Sequence, residues 1–345
     1  MTPLPESLPA LLLDWYRDHA RVLPWRSRPT PYRVWVSEVM LQQTRVEAAR
    51  PYFLRFVEAL PDVPALAACP EETLLKLWEG LGYYSRARNL QKAARILVAD
   101  CGGTLPPSFR ALRALPGIGD YTAGAIASIA FGLPCPAVDG NVLRVLSRVT
   151  ASRADITDPK TKKDCAEALA AILPDRPGDF NQALMELGAC VCLPGPKPLC
   201  GDCPLAGLCL AREGGIAGEL PVKAPPKPRR EEDRTVLLLF RGDGALALRR
   251  RPPRGLLAGM WEPVALPGRL EERSVLRAVR ALGLTPGKAT PLGEGKHLFT
   301  HVLWRMAGWR VEAEGTPPPG SGLVWAAPGE LKERYPLPSA YRVFL

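Results

Sequence analysis

Five of the nine cysteines lie in one short stretch, with the spacing Cys190-Val-Cys192-x7-Cys200-x2-Cys203-x5-Cys209. Thiolates this close together suit a metal site, because packing alone rarely needs them. Zinc favours two Cys-x2–4-Cys pairs a dozen or more residues apart, which this spacing lacks. A [4Fe–4S] cluster takes one thiolate per iron, and four cysteines in one loop suit it. The spacing therefore favours a cluster, with zinc as the alternative and Cys190 as a packed helix residue.

Disulfide bonds are a further explanation for these cysteines. The sequence shows no signal peptide and no apolar segment of the kind that directs secretion. We therefore expect a reducing cytoplasm, where disulfides are rare.

Two carboxylates stand where they could carry acid–base chemistry. On a helix, Glu38 shares its face with Val34, Trp35 and Leu41. Apolar surroundings disfavour an ionised carboxylate, which makes Glu38 a candidate general acid near neutral pH. The local sequence alone favours the other interpretation, in which Glu38 reaches solvent from the edge of the apolar stripe.

Asp139 is followed by Gly140-Asn141 and a helical pattern, which is first of all typical of a helix N-cap. Such a position also holds a carboxylate hydrogen-bonded and ionised. The two environments would then separate the pKa values, so that Glu38 stays protonated while Asp139 stays charged.

The run Leu115-Pro-Gly-Ile-Gly-Asp-Tyr-Thr-Ala123 predicts a tight turn between two helices. Pro116 would end one helix, the glycines allow positive φ, and Asp120 can cap the next helix. Backbone N–H groups exposed at such a helix start suit a phosphate. A plain helix–helix turn is the alternative.

Composition restricts the partner. The 345 residues contain 45 Lys and Arg against 35 Asp and Glu, a net charge of +10. This surplus favours polyanions, of which nucleic acid is the commonest, although a merely soluble basic surface is the alternative. Because no long apolar run is present, we expect no membrane span.

The sequence predicts a multi-domain chain, and different domains position these residues. Residues 1–209 show helical periodicity and predict an all-α domain with a hairpin at 112–131 and a cysteine loop at 190–209. Residues 210–230 are basic and Pro-rich, which predicts a semi-extended linker. Residues 231–345 predict an α+β domain that opens with a strand at Thr235–Phe240, a Gly-Asp-Gly hairpin and a helix from Ser274 to Leu282, followed by short strands.

Seven motifs in this order resemble the helix-hairpin-helix iron–sulfur DNA glycosylases, and within them the adenine DNA glycosylases of the MutY type. The resemblance covers nearly the whole chain. Its motifs are Leu23-Pro-Trp-Arg26, Ser37-Glu-Val-Met-Leu-Gln-Gln-Thr44, Gly80-Leu-Gly-Tyr-Tyr84, Leu115-Pro-Gly-Ile-Gly119, Val138-Asp-Gly-Asn141, Phe180-Asn-Gln-Ala-Leu-Met-Glu186 and the cysteine loop.

The resemblance implies a base-excision enzyme that removes adenine mispaired with 8-oxoguanine or guanine in double-stranded DNA. It also implies a bacterial cytoplasmic, nucleoid-associated monomer with one [4Fe–4S] cluster per chain. The cluster ligands would be Cys192, Cys200, Cys203 and Cys209, although seven residues separate the first pair here where six are usual.

By the same resemblance, Glu38 would protonate adenine after base flipping, and Asp139 would stabilise an oxocarbenium-like sugar. Endonuclease III-type relatives carry a lysine where this chain has Tyr121, and that lysine cleaves the strand through a Schiff base. A phenol cannot form one, so we expect a monofunctional enzyme. The supporting residues implied are Asn141 for the water or sugar, Tyr121 beside Asp139 and the sugar, Glu186 for adenine or water, Trp25 and Arg26 for the adenine pocket, Gln43 and Tyr83 for the stack around the lesion, and Leu41, Thr44, Gly117 and Gly119 for DNA.

The C-terminal domain resembles the MutT-like domain of the same family. Glu271 and Glu272 precede a helix that lacks the carboxylates of a Nudix hydrolase, so we expect no hydrolysis there. The run Phe299-Thr300-His301 matches the family's Phe-Ser-His loop for 8-oxoguanine, with threonine in place of serine. A strand histidine pair with a structural role is the alternative.

Two further function classes remain open. A thymine or uracil mismatch DNA glycosylase would share the hairpin and the cysteine loop, but the Glu38 motif and the MutT-like domain disfavour it. A non-catalytic iron–sulfur DNA-binding protein would gain nothing from Glu38 and Asp139.

Overall fold

The computed structural model describes residues 3–225 and 228–345 and divides the chain into two compact units. One unit comprises the chain up to Ala68 together with Arg88–Pro225, and the other comprises Cys69–Ala87 together with the chain from the linker to Leu345. The helices before the linker are α1 Leu8–His19, α2 Pro24–Ser27, α3 Pro31–Leu41, α4 Val46–Ala59, α5 Val63–Ala68, α6 Glu71–Leu77, α7 Ser85–Cys101, α8 Phe109–Arg113, α9 Asp120–Phe131, α10 Gly140–Val149, α11 Pro159–Ala170, α12 Pro177–Cys190 and α13 Leu210–Glu213.

The first unit is helical, as its periodicity predicts. The N-terminal helix α1 packs with α10 and α12 around Leu8, Leu146 and Phe180, all of which are fully buried. Thr30 caps α3 by accepting a hydrogen bond from the Arg33 N–H, and Pro31 occupies the first helical position. Helix α3 buries eight of its residues and contacts α9, so it lies inside the unit.

Helices α8 and α9 form the predicted hairpin. Gly117 in the turn has φ of 79°, which favours glycine, and Gly119 is the N-cap of α9. The expectation that Asp120 caps this helix is wrong, because Asp120 is its first residue and forms an ion pair with Arg113. Helix α8 already ends at Arg113, before Pro116.

The first part of the predicted linker is not semi-extended. It begins as α13. Leu220 is buried, and its carbonyl accepts a hydrogen bond from the Arg148 guanidinium. The Val222 carbonyl accepts from the Ile156 N–H. The domain boundaries at 209 and 230 stay predictions, while chain through Val222 packs with the helices.

The second unit is built on a mixed six-stranded sheet with the order β4-β5-β1-β3-β2-β6. Only β1 and β5 pair in parallel among the described strands, and the other pairs are antiparallel. The elements are β1 Arg230–Phe240, β2 Leu246–Arg250, β3 Trp261–Pro267, α14 Glu272–Ala281, β4 Thr285–Leu298, β5 Val302–Glu314, β6 Leu323–Ala326 and α15 Pro328–Glu333.

Each face of this sheet covers a core, which the alternation along β1 explains. Val236 and Leu238 belong to one cluster with Trp304, whereas Leu237 and Leu239 belong to the other with α14. The predicted hairpin is present, since Phe240 pairs with Leu246 across the Gly-Asp-Gly turn.

Two strands differ from the expectation of short ones, because β4 has 14 residues and β5 has 13. The prolines of β4 resemble turn signals in the sequence. This strand lies at the sheet edge, however, and register shifts follow Pro286 and Pro291, positions where a strand tolerates proline. The helix expected at Ser274–Leu282 runs from Glu272 to Ala281.

No helix in the described part of the chain is long and apolar enough to span a membrane.

Candidate active site

Glu38 is a buried carboxyl with one strong hydrogen-bond donor. It lies in α3 with 6% of its surface exposed, so the solvent-facing interpretation is wrong. The Tyr121 hydroxyl donates to its Oε2 at 2.5 Å. Burial raises the pKa of Glu38 to about 7, the Tyr121 bond opposes that rise, and the negative charge of Asp139 adds to it. Glu38 can therefore hold a proton near neutral pH.

Asp139 is the N-cap of α10, as its sequence context predicts. Its Oδ1 accepts from the Val142 N–H at 2.8 Å, and its Oδ2 accepts from the Asn141 amide at 2.8 Å. Burial raises the pKa of Asp139, while these two donors and the charge of Arg144 lower it. Burial thus raises the pKa of both carboxyls, whereas the sequence predicted that the two pKa values would move apart. Both oxygens of Asp139 accept hydrogen bonds, whereas Glu38 accepts one from Tyr121.

Tyr121 lies at the start of α9, and its hydroxyl donates to Glu38, while the charge of Asp139, beside which it was predicted to lie, also acts on it. Its hydroxyl also lies 3.5 Å from the Met185 sulfur, a neighbour that the sequence did not single out. Burial, together with the charges of Glu38 and Asp139, raises the pKa of Tyr121 well above its ordinary value. The phenol is therefore a neutral donor.

Glu186, predicted to help hold adenine or water, binds two arginines in this structure. It is 1% exposed, and Arg21 and Arg26 bind it through Nε–Oε1 and Nη2–Oε2 contacts of 2.6 and 2.9 Å. Although burial opposes it, these hydrogen bonds lower the pKa of Glu186. The carboxylate thus orients two cations. Arg21 was not predicted as a site residue, because 165 positions separate it from Glu186 in the sequence.

Both arginines line a cavity of about 520 Å³. Arg26 also donates to the Gln182 side chain at 3.1 Å, which fixes one wall. The predicted pocket residue Trp25 is not among the lining residues and packs edge-on against Phe53. The cavity is lined by Tyr16, Ala20, Arg21, Val22, Leu23, Arg26, Ser27, Pro29, Ser128, Ile129, Gly132, Asp175, Arg176, Pro177, Gly178, Asp179 and Gln182.

Arg144 connects Asp139 with the cysteine loop. Its Nη2 donates to the side-chain Oδ1 of Asn141 at 2.8 Å, and the Asn141 side-chain amide in turn donates to Asp139. Its Nε donates to the Cys192 backbone carbonyl at 2.8 Å. Asn141 therefore acts on Asp139 directly. Arg144 was missed, although its place three residues after Asn141 on α10 was a usable signal.

The four loop cysteines line one small cavity with the buried Arg148, whose guanidinium donates to the Cys192 sulfur at 3.3 Å. No three His, Cys, Asp or Glu side chains in the described ranges converge closely enough to hold a single metal ion. Four cysteine sulfurs around one cavity are a donor set that fits a [4Fe–4S] cluster. Cys190, the fifth cysteine, ends α12 half-buried.

Several predicted DNA contacts lie at exposed or half-buried positions. Gly117 and Gly119 are exposed in the hairpin turn, and Gln43 is exposed just after α3 with φ of 57°. Leu41, the last residue of α3, and Thr44 are half-buried.

The predicted lesion loop and Tyr83 come together within the second unit. The hydroxyls of Tyr83 and Thr300 share a hydrogen bond of 2.8 Å. Phe299 is half-buried with its ring edge-on to His297 and Trp304, and His301 is exposed. Glu272, expected to precede α14, is its first residue, so this helix does carry one carboxylate.

Comparisons with known proteins identify both parts of the chain. Residues 36–171 match the family described as HhH-GPD superfamily base excision DNA repair protein, and residues 235–345 match the NUDIX domain. The adenine DNA glycosylase of Rattus norvegicus is 38% identical, over 91% of this chain and 72% of the rat protein. That of Homo sapiens is 39% identical, over 90% of this chain and 68% of the human protein. A solved thermostable thymine-DNA glycosylase is similar with a TM-score of 0.56 and 27% identity, over 61% of this chain and 96% of that one.

Proposed function

Because this chain belongs to the adenine DNA glycosylase family, and so is an enzyme that removes adenine from DNA, we propose that its substrate is adenine opposite 8-oxoguanine or guanine in duplex DNA. The runner-up, excision of thymine or uracil, is disfavoured by the lower identity to the thymine-specific structure. A purely structural DNA-binding role leaves the buried, protonated Glu38 without a purpose.

The proposed reaction begins when adenine leaves the base stack, because its glycosidic bond cannot be reached inside the duplex. Adenine is a poor leaving group until it is protonated. Glu38 carries a proton near neutral pH and is the general acid for this step. Tyr121 orients that carboxyl through its hydroxyl, and Arg21 and Arg26 line the cavity described above.

Bond cleavage leaves positive charge on the sugar, and Asp139 is the anion that stabilises it, electrostatically or through a transient covalent bond. Its hydrogen bonds from Val142 and Asn141 fix the carboxylate before the charge develops. Asn141 is therefore a positioning residue for Asp139, and a water completes hydrolysis.

The enzyme is proposed to be monofunctional. Strand cleavage through a Schiff base needs an amine at the sugar, and the hairpin position carries Tyr121 instead.

The cofactor proposed is one [4Fe–4S] cluster held by Cys192, Cys200, Cys203 and Cys209, which line one cavity. When bound, the cluster stabilises the loop rather than reacting with substrate. Arg148 donates to the Cys192 sulfur and to the Leu193 and Gly195 carbonyls, so this buried cation braces the loop.

Phe299, Thr300 and His301 are proposed to read 8-oxoguanine, with Tyr83 and Gln43 entering the stack around the lesion. Leu41, Thr44 and the hairpin glycines are proposed to contact DNA, Trp25 belongs with Arg26 to the proposed adenine pocket, and the protein would act as a monomer. The bond between Tyr83 and Thr300 supports a shared role for these two residues.

The observation that carries the proposal is the buried Glu38 carboxyl, which accepts a hydrogen bond from Tyr121 and whose pKa burial raises to about 7. Glu38→Gln keeps the shape and removes the acid, so single-turnover adenine release from A:8-oxoguanine and A:G duplexes should fall by about 10²–10⁴-fold with DNA binding retained. Glu58→Gln, at an exposed glutamate, is the control. A near-parental rate for Glu38→Gln, or release of thymine from T:G duplexes by the parent, would refute the proposal.

A further inference from the structure

Two charged side chains attach the segment Cys69–Ala87 to the end of the chain. Lys76 lies in the last turn of α6, and Glu79 follows that helix. Their Nζ and Oε2 atoms form a salt bridge of 2.7 Å, with about a fifth of each side chain exposed. The pair is thus partly shielded from water, which weakens screening of its charges.

Both side chains bind backbone groups of the C-terminal stretch, defined here as residues 331–337. The Lys76 ammonium donates to the carbonyls of Leu331 and Tyr335 at 3.2 and 3.4 Å. The Leu337 N–H donates to Glu79 Oε1 at 2.8 Å. One ion pair therefore satisfies three backbone groups, and hydrogen bonds to charged groups are stronger than neutral ones.

The same segment carries Tyr83 on an unusual turn. Gly80, Gly82 and Tyr83 have φ of 103°, 70° and 48°. A tyrosine in the left-handed region is disfavoured and persists only when surrounding contacts hold it. Two contacts act on its side chain, the hydroxyl of Thr300 at 2.8 Å and the Arg86 guanidinium over the ring at 5.5 Å.

We propose that Lys76 and Glu79 are positioning residues for lesion recognition. They fasten the Tyr83 turn to the C-terminal stretch, so that Tyr83 and Thr300 meet the base opposite adenine as one preformed surface. This role rests on the proposed function, because it takes Tyr83 and Thr300 to contact the 8-oxoguanine strand.

The test uses the full chain with Lys76→Met and Glu79→Gln together, which removes both charges and leaves neither alone. The matched control replaces the exposed pair Lys163 and Glu167, whose charged atoms lie 3.6 Å apart, in the same way. Hydrogen exchange without DNA should become roughly tenfold faster at 79–84 in the first variant and stay unchanged in the control. Unchanged exchange would overturn the fastening role.

Adenine release is then compared on A:8-oxoguanine and A:G duplexes. The preference for 8-oxoguanine should fall roughly three- to tenfold in the double variant, because Tyr83 and Thr300 are held less firmly while the catalytic residues are unchanged. Lys76→Arg, which keeps a cationic donor, should retain most of it. A general loss of stability would slow both substrates equally and would count against the inference.

Thr300→Val separates the two proposals. If it lowers the preference and the double variant does not, the positioning role fails and the proposed lesion reading stands. If neither variant lowers the preference, the proposed lesion reading itself fails and the positioning role falls with it.

Discussion

At the scale of single residues, the site depends on how each buried charge is compensated. Glu186 is balanced by two arginines, and Asp139 by backbone and amide donors. Glu38 accepts a hydrogen bond from one phenol, and burial raises its pKa to about 7. The three carboxyls therefore differ in how easily they hold a proton, because their donors differ.

The pH profile of adenine release should report Glu38. The acid form is needed, and its pKa is about 7, so the rate should fall toward tenfold per unit as pH rises above that value. Because the Tyr121 bond lowers this pKa, Tyr121→Phe should move the decline to higher pH. Single-turnover rates from about pH 5 to about pH 9 test both statements. A flat profile through neutral pH would exclude Glu38 as the acid.

Tyr121→Lys should add strand cleavage, because an amine would replace the phenol beside the reacting sugar. Borohydride reduction should trap a covalent protein–DNA adduct with this variant. Tyr121→Phe, which has no amine, is the control and should trap none. Adenine release by the lysine variant without any adduct would mean that residue 121 does not face the sugar.

At the scale of elements, small residues allow α9 to carry Tyr121 so close to its neighbours. A Cβ on Gly124 would lie 2.2 Å from the Pro136 carbonyl oxygen, which is backbone and cannot yield cheaply. The same helix buries Ala123 and Ala127 completely. The segment that leads into α10 and Asp139 thus packs directly against α9. The elements that carry Tyr121 and Asp139 are therefore in contact through Gly124 and Pro136.

Gly124→Ala should destabilise the protein by about 1–3 kcal/mol, the usual cost of overpacking, and should slow adenine release by separating these elements. Gly329→Ala is the control, because no atom lies within 4 Å of its added Cβ. Chemical denaturation of both variants measures the difference. Equal stability of the two would show that the α9 contact adapts freely.

The cysteine loop should hold about four irons per chain and give a yellow-brown protein with broad visible absorption, since four thiolates face one cavity. Iron and zinc analysis after anaerobic purification measures this. Cys192→Ser should lower the iron content, whereas Cys165→Ser, at a buried cysteine outside the loop, should not. Stoichiometric zinc without iron would refute the cluster.

At the scale of the whole molecule, the residues proposed for the chemistry and for lesion reading fall in different units. Glu38, Asp139 and Tyr121 belong to the helical unit, and Thr300 belongs to the unit built on the sheet. Tyr83 precedes the linker by well over a hundred residues in the sequence but packs with that second unit. The order of motifs along the chain is therefore a poor guide to which residues act together.

A chain of residues 1–225 should still release adenine from A:G duplexes but lose much of its preference for A:8-oxoguanine. It lacks Thr300 and leaves Tyr83 without its partner, and each lost hydrogen bond costs about 0.5–1.5 kcal/mol. The preference should shrink by one to a few orders of magnitude. Full-length Thr300→Val is the comparison, and should lose less. Equal discrimination by the shortened chain would place lesion reading in the helical unit.

Short-range patterns predicted much of the fold and part of the site. The Asp139 cap, the hairpin glycines and the cysteine spacing are local features that dictate local structure. The burial of Glu38 and the pairing of Glu186 with Arg21 depend on contacts across more than 80 residues, which no local pattern encodes. The prolines of β4 led to the wrong prediction of short strands. Proline usually marks a turn, but a strand at a sheet edge tolerates it.

The anchoring of Glu79 by Leu337 has a consequence for synthesis, because 258 positions separate the two residues. A ribosome adds about 5–20 residues per second, so the Tyr83 turn waits on the order of 13–50 s for the residue that fixes it. The helices that hold the catalytic candidates leave the ribosome earlier. During synthesis, the residues proposed for base excision would therefore be in place before the turn proposed for lesion choice is fixed.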